Sequence, residues 1–121
     1  MSTALIVEDS LTDKEILTLC LKQHGVEVLT ASSAEEAFDQ VRDHQFDVII
    51  LDVILPGRNG FEICRELKKK EASREIPIIL CSTKGSEMDK FWGLKQGADA
   101  YLAKPINEDE LIQTVKQFLD D

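Results

Sequence analysis

The sequence predicts an α/β fold in which helices cover both faces of a five-stranded parallel sheet. Two observations lead to this prediction. Short apolar runs alternate with helical segments along the chain, and three of the runs show no polar alternation, as expected for strands buried on both faces. Because 121 residues is the length of one ordinary domain, we expect a single domain over residues 1–121.

We expect the five strands to differ in burial, with some central in the sheet and others nearer its edges. The runs "ALIV" at 4–7, "FDVIIL" at 46–51 and "PIILCS" at 77–82 are dominated by apolar residues and predict central strands. The run "VEVLTA" at 26–31 alternates, which is typical of a strand nearer an edge. The last run, "AYLA" at 100–103, is short and is followed directly by Lys-Pro.

Five helical segments fill the intervals, and capping residues mark several of their ends. Gly25 and Gly97 suit the ends of the first and fourth helices, since glycine readily adopts the left-handed conformation found there. Residues 56–59 have turn composition and precede the third helix. The predicted helix starts are Ser10 or Thr12 (with Glu15), Ser33 (with Glu36), about Phe61, about Glu87, and Asn107 (with Glu110).

Composition and charge argue against several classes of protein. The formal net charge of −9 disfavours nucleic-acid binding, because phosphate contacts supply most of that affinity. No apolar run approaches the ~20 residues of a membrane span, and the N-terminus lacks signal-peptide features, so we expect a cytoplasmic protein without membrane insertion. Cys20, Cys64 and Cys81 lack metal-binding spacing and lie in apolar patterns, which indicates reduced core cysteines.

Polar side chains follow four of the apolar runs. The carboxyl ends of parallel strands meet at one edge of the sheet, so we expect these residues to converge there. Neighbouring carboxylates repel unless a cation joins them, and oxygen ligands favour a hard ion such as Mg²⁺ or Ca²⁺, with phosphate as a further ligand of Mg²⁺. The residues are Glu8 and Asp9, Asp52, Ser82 and Thr83, and Lys104.

This set of residues predicts phosphoryl chemistry. Asp52 lies between the other groups and is the candidate nucleophile, which would form an aspartyl phosphate. Lys104 can neutralise a phosphate as a point charge, and the Ser82 hydroxyl can donate a hydrogen bond to it. The alternatives are that the carboxylates and Lys104 form only a surface ion-pair network, and that Ser82 caps the helix after it.

These motifs, in this order and spacing, resemble the receiver domain of bacterial two-component response regulators in its single-domain, CheY-like form. The resemblance covers essentially all 121 residues. It implies a flavodoxin-like doubly wound sheet of order 2-1-3-4-5 with five helices. The motifs are "VEDS", "LDVILPGRNG", "CST" and "GADAYLAKP", which contain Glu8, Asp9, Asp52, Pro56, Gly60, Ser82, Gly97, Tyr101, Lys104 and Pro105.

The resemblance also implies a mechanism. A sensor histidine kinase would donate a phosphoryl group to Asp52, with Mg²⁺ held by Asp9, Asp52, the backbone carbonyl of Ile54 and, directly or through water, Glu8. Lys104 and Ser82 would contact the phosphoryl group, and Ser82 and Tyr101 would carry the switch to a target protein. The target would bind the face made by the fourth helix, fifth strand and fifth helix. The domain would catalyse only its own phosphorylation and dephosphorylation.

The stretch from Ser82 to Pro105 is similar to receivers of type IV pilus, twitching or phototaxis pathways, the PilH or PilG type. Ile54 departs from the asparagine of flagellar chemotaxis receivers, so self-dephosphorylation could differ in rate. On the fourth helix we expect one of Phe91 and Trp92 to lie in the core. Alternative functions are a degenerate, constitutively binding receiver, a receiver fragment of a longer regulator, a flavin-binding protein, or a Mg²⁺-dependent phosphohydrolase.

Overall fold

A computed structural model describes residues 1–119 and has the predicted α/β architecture. None of the helices in that range has the length and apolar character that a membrane span requires. The strands are β1 (Thr3–Val7), β2 (Glu27–Ala31), β3 (Val48–Asp52), β4 (Ile54–Leu55), β5 (Arg58–Asn59), β6 (Ile78–Ser82) and β7 (Ala100–Ala103). The helices are α1 (Leu11–Gln23), α2 (Ala34–Asp43), α3 (Gly60–Leu67), α4 (Glu87–Lys95) and α5 (Glu108–Lys116).

The main sheet is parallel and has the order β2-β1-β3-β6-β7. This is the predicted flavodoxin-like order of five strands, which is confirmed. Asp52 lies opposite Cys81, and Ser82 lies opposite Ala103, so the ends of β3, β6 and β7 share one edge. The small antiparallel pair β4–β5 was not predicted, because two-residue strands leave no periodic signal in the sequence.

Each face of the main sheet is covered by its own apolar layer. Alternate residues of β1 and β3 point to opposite layers: Leu5 and Ile49 join the layer with α2 and α3, and Ile6 and Ile50 join the layer with α1 and α5. All four of these side chains are 0–1% exposed. Burial on both faces explains why these strands lack polar alternation.

Capping residues begin the helices largely where the sequence indicated. Ser33 and Asn107 cap α2 and α5, and the side chain of each accepts a backbone N–H three residues on. The first helix begins after Ser10, whose hydroxyl accepts from the backbone N–H of Asp13 at 3.3 Å, so the alternative start at Thr12 is wrong. The cap of α4 is Ser86, which forms a capping box with Asp89.

The three cysteines are free and buried, as predicted. Burial raises the pKa of Cys64 to about 11 and that of Cys81 to about 12. An unfolded thiol ionises near pH 8.5, so above that pH the unfolded chain loses protons that the folded chain retains. The free energy of unfolding should therefore fall by about 1.4 kcal/mol per pH unit for each thiol between roughly pH 9 and 11.

Urea unfolding at several alkaline pH values checks this prediction. The double variant Cys64→Ala and Cys81→Ala should be less stable near neutral pH but should lose less stability per pH unit. The wild type and the variant contain the same lysines. The difference between their slopes of unfolding free energy against pH therefore excludes the contribution of the lysines. Parallel curves for the two proteins would show that the thiols do not cause the alkaline loss.

Candidate functional site

Lys104, directly after β7, binds three carboxylates at the edge where the strands end. Its Nζ donates to Glu8 Oε1 at 2.6 Å, to Asp13 Oδ2 at 2.8 Å and to Asp52 Oδ2 at 3.1 Å. Glu8 follows β1, Asp13 lies in the first turn of α1, and Asp52 ends β3. An ammonium group has three N–H donors, so these bonds use all of them.

The site is buried although it is highly charged. Glu8 is 1% exposed, Asp52 is 6% exposed and the Lys104 side chain is 9% exposed. Burial lowers the pKa of Lys104, but hydrogen bonds with Asp13 and Glu8 and the charge of Asp52 outweigh it, so the pKa is raised. Burial raises the pKa of Glu8 more than the Lys104 hydrogen bond lowers it. Lys104 therefore compensates the burial of the Glu8 carboxylate only in part.

The donor set fits a hard divalent cation. Glu8, Asp9 and Asp52 each offer one carboxylate oxygen, and these oxygens lie within 4.8 Å of one another. Octahedral Mg²⁺ with bonds of about 2.1 Å requires oxygens about 3–4 Å apart, so small side-chain movements would close the site. Asp9 is exposed, and no bond between Asp9 and Lys104 is formed. It is thus available to a cation arriving from solvent.

The loop after Asp52 is held closely against the strand end. The backbone N–H of Ile54 donates to Asp52 Oδ1 at 3.1 Å, and the N–H of Gly60 donates to the carbonyl of Val53 at 2.7 Å. A Cβ at Gly60 would lie 2.4 Å from the Asp52 carbonyl oxygen and 2.5 Å from the Val53 Cα. Gly60 is therefore needed for this close approach of α3 to the loop. The structure places the predicted ligand Ile54 beside Asp52 in this loop.

The structure connects Ser82 and Tyr101 through the loop between β6 and α4. Ser82 is fully buried, and its Oγ accepts from the backbone N–H of Lys84 at 3.2 Å. The hydroxyl of the partly buried Tyr101 donates to the carbonyl of Lys84. Since Ser86 caps α4, the alternative that Ser82 caps this helix is wrong. Both predicted switch residues thus hold the same loop residue.

Sequence reasoning missed Asp13 as a partner of Lys104. The signal was available: Asp13 lies in the first turn of the helix that follows Glu8 and Asp9, and that turn is adjacent to the same edge of the sheet. Placing the helix start at Ser10 rather than Thr12 would have brought Asp13 to the edge. Because the sequence offered two start positions for this helix, the position of Asp13 could not be assigned.

The prediction that either Phe91 or Trp92 lies in the core is wrong, because both are about half exposed, at 54% and 51%. The α4 helix approaches the sheet through Gly93 instead. A Cβ at Gly93 would lie 2.7 Å from the Tyr101 ring and 2.9 Å from Leu80 Cδ1. The contact through Gly93 brings α4 close to the sheet. The side chains of Phe91 and Trp92 are exposed to solvent, as are those of Met88 and Leu94.

Comparison with known proteins gives consistent matches over almost the whole chain. Residues 4–116 match the family model of the response regulator receiver domain. The chain is 40% identical to Protein PilH of Pseudomonas aeruginosa PAO1 over 119 residues, which are 98% of each chain. This confirms the resemblance to CheY-like receivers and the similarity to PilH.

Two solved structures of receiver proteins share the fold of this chain. The chemotaxis protein CheY4 of Vibrio cholerae has a TM-score of 0.91 at 33% identity, covering 98% of this chain and 99% of that chain. The receiver domain of the sensor histidine kinase PA1611 from Pseudomonas aeruginosa PAO1 has a TM-score of 0.88 at 26% identity, covering 97% and 96%. That structure has a magnesium ion coordinated in the active site cleft. By sequence and fold, this chain belongs to the response regulator receiver domain family.

Proposed function

We propose that this receiver accepts a phosphoryl group on Asp52 from the phosphohistidine of a sensor histidine kinase and then changes its affinity for a partner protein. The supporting observation is the position of Asp52 at the edge of the sheet. One carboxylate oxygen is held by the Ile54 N–H and the other by Lys104, and the residue is 6% exposed. A fixed carboxylate beside a cation is suited to in-line attack on phosphorus.

The transfer step is a displacement at phosphorus between the two proteins. An oxygen of Asp52 forms a bond to phosphorus while the bond from phosphorus to the kinase histidine nitrogen breaks, and the electron pair of that bond stays on the nitrogen. The phosphoryl oxygens bring negative charge next to Lys104. Since Lys104 is buried and already hydrogen-bonded to Asp52, it needs little movement to pair with them.

Glu8, Asp9, Asp52 and the carbonyl of Ile54 would hold Mg²⁺, whose contribution is to neutralise charge on the incoming phosphoryl oxygens. The magnesium ion in the cleft of the PA1611 receiver domain supports this choice of cation. The chain's own residues set the geometry of the site: the Gly60 contact fixes the loop that presents Ile54, and Glu8 is oriented by its bonds to Lys104 and to the Ser10 N–H.

The switch would act on the loop between β6 and α4. A phosphoryl oxygen on Asp52 gives the Ser82 hydroxyl a new acceptor, and the loop held through Lys84 would move with it. Tyr101, bonded to the same Lys84, would then change position under α4. The target would bind the α4–β7–α5 face, where Met88, Phe91, Trp92 and Leu94 are exposed.

The 40% identity to Protein PilH, together with the resemblance to receivers of type IV pilus and twitching pathways, supports a role in pilus motility or chemotaxis-like signalling. A cytoplasmic location is part of this proposal. Output would pass through another protein rather than through nucleic acid, in keeping with the net charge of −9. The domain would not be a turnover enzyme, since the acid–base partner of a phosphohydrolase would be needed two residues after Asp52, where Ile54 stands.

Titration with Mg²⁺ and then beryllofluoride, a phosphoryl mimic, tests the proposal. Fluorescence of Trp92 on α4 and NMR spectra would be recorded for the wild type and for Asp52→Asn. We expect a saturable change that requires Mg²⁺ in the wild type and no change in the variant. No response in either spectrum would contradict the switch and favour a constitutive binder. Mass spectrometry after incubation with an acyl phosphate would locate the phosphoryl group.

Asp13 is expected to shorten the phosphoryl lifetime. It competes with the phosphoryl group for Lys104 at 2.8 Å and adds a negative charge nearby. Because Asp13 is partly exposed, its effect should be about 0.5–1 kcal/mol, so Asp13→Asn should slow dephosphorylation about two- to fivefold. The measurement is phosphate release from phosphorylated protein, with Asp39→Asn as an exposed control. An unchanged or faster rate would contradict the competition.

A further inference from the structure

We propose that Cys20, His24 and Glu108 form a binding site for a divalent transition metal of the Zn²⁺ class where the end of α1 meets the start of α5. The Cys20 sulfur, a ring nitrogen of His24 and a carboxylate oxygen of Glu108 lie within 4.8 Å of one another. Thiolate, imidazole and carboxylate are the protein ligands that Zn²⁺ prefers. The cluster shares no residue with the acidic site of Glu8, Asp9 and Asp52.

The fold brings these residues together. Cys20 and His24 are four residues apart at the end of α1, so they lie on the same side of the helix. Glu108 is the first residue of α5, which packs against α1 on the same face of the sheet. Cys20 is 5% exposed. Together with Glu108 it lines a cavity of about 200 Å³ between the helices, which is also lined by Ile16, Leu19 and Ile106.

The histidine is prepared as a ligand. Its Nδ1 lies 3.0 Å from the carbonyl oxygen of Cys20. A carbonyl oxygen can only accept, so Nδ1 carries the proton in the neutral ring and Nε2 keeps its lone pair for a metal. This backbone contact to the second ring nitrogen is the arrangement that orients metal-binding histidines in proteins. His24 and Glu108 are exposed, so both side chains can turn toward the ion.

Metal binding at the Cys20 sulfur requires the loss of the thiol proton. Burial, followed by the negative charge of Glu108, raises the pKa of the Cys20 thiol to about 11. When a metal binds, the thiol proton passes to solvent and the sulfur–metal bond replaces the S–H bond, so the positive charge of the ion offsets the charges of the thiolate and of the Glu108 carboxylate. Three protein ligands leave a fourth position for water. A bound ion would link α1 to α5 at Glu108, which lies four residues after Lys104 in the sequence.

Titration with Co²⁺, which replaces Zn²⁺ and absorbs light, tests this site in the full chain. Saturating Mg²⁺ is present, and the cysteines are kept reduced. We expect a near-ultraviolet thiolate-to-Co²⁺ charge-transfer band that saturates and that Zn²⁺ removes by competition. Co²⁺ bound only at the acidic site has oxygen ligands and gives no such band. Absence of the band in the wild type would overturn the proposal.

Variants assign the ligands. Cys20→Ser should remove the band, while His24→Gln and Glu108→Gln, at exposed positions that should not disturb folding, should each weaken Co²⁺ binding at least about tenfold. His44→Gln is the matched control, because His44 is also an exposed C-cap histidine, at the end of α2. Unchanged affinity in both His24→Gln and Glu108→Gln would overturn the three-ligand site even if a thiolate band were present.

Discussion

Replacing Lys104 by methionine is expected to lower the free energy of unfolding by about 3 kcal/mol in the absence of divalent cations. The ammonium group is the hydrogen-bond partner of both buried carboxylates, Glu8 and Asp52, and of Asp13. Methionine keeps most of the side-chain volume but removes the charge, so the buried carboxylates repel without compensation. Urea unfolding in the presence of a chelator measures the loss.

The same variant should regain much of its stability in saturating Mg²⁺, because a cation that binds only the folded chain stabilises it. It should still fail to show the beryllofluoride response, since methionine has no ammonium group that could pair with the oxygens or fluorines of the phosphoryl group or its mimic. Lys116→Met is the control, because Lys116 is exposed on α5 and should change stability by less than about 0.5 kcal/mol. Equal stability of the two variants would show that Lys104 does not compensate the carboxylates.

The sequence predicted the fold well because its strands are long enough to leave a pattern. The runs that became β1, β3 and β6 are buried on both faces, and their apolar character has no other simple explanation. Two-residue strands such as β4 and β5 leave no such pattern. The Ser86 cap also escaped prediction, because several polar residues precede α4 and only the backbone geometry selects among them.

For the site, the sequence predicted which residues converge but not how they pair. Residues at strand ends, such as Glu8 and Asp52, could be placed because parallel strands end at one edge. Asp13 was missed, since its position depends on whether Ser10 or Thr12 begins the first helix. The exposure of Trp92 could not be predicted either, because it follows from the absence of a side chain at Gly93.

Gly60→Ala is expected to destabilise the protein by about 2 kcal/mol and to weaken Mg²⁺ binding about tenfold. Intrinsic propensity predicts the opposite sign, because alanine in a helix is more favourable than glycine by about 1 kcal/mol. At Gly60 the added Cβ would contact backbone atoms of Asp52 and Val53 at 2.4 and 2.5 Å. Backbone cannot turn away as a side chain can, so the loop that presents Asp52 must shift.

Gly57→Ala separates this steric effect from the general cost of replacing a glycine. Gly57 lies in the β4–β5 turn with a φ of 74°, and a Cβ there would contact nothing within 4 Å. Its replacement should cost about 1 kcal/mol through backbone strain and leave Mg²⁺ affinity unchanged. Urea unfolding and Mg²⁺ titration of both variants measure the two effects. If Gly60→Ala bound Mg²⁺ as the wild type does, the close approach of α3 would not be what positions Asp52.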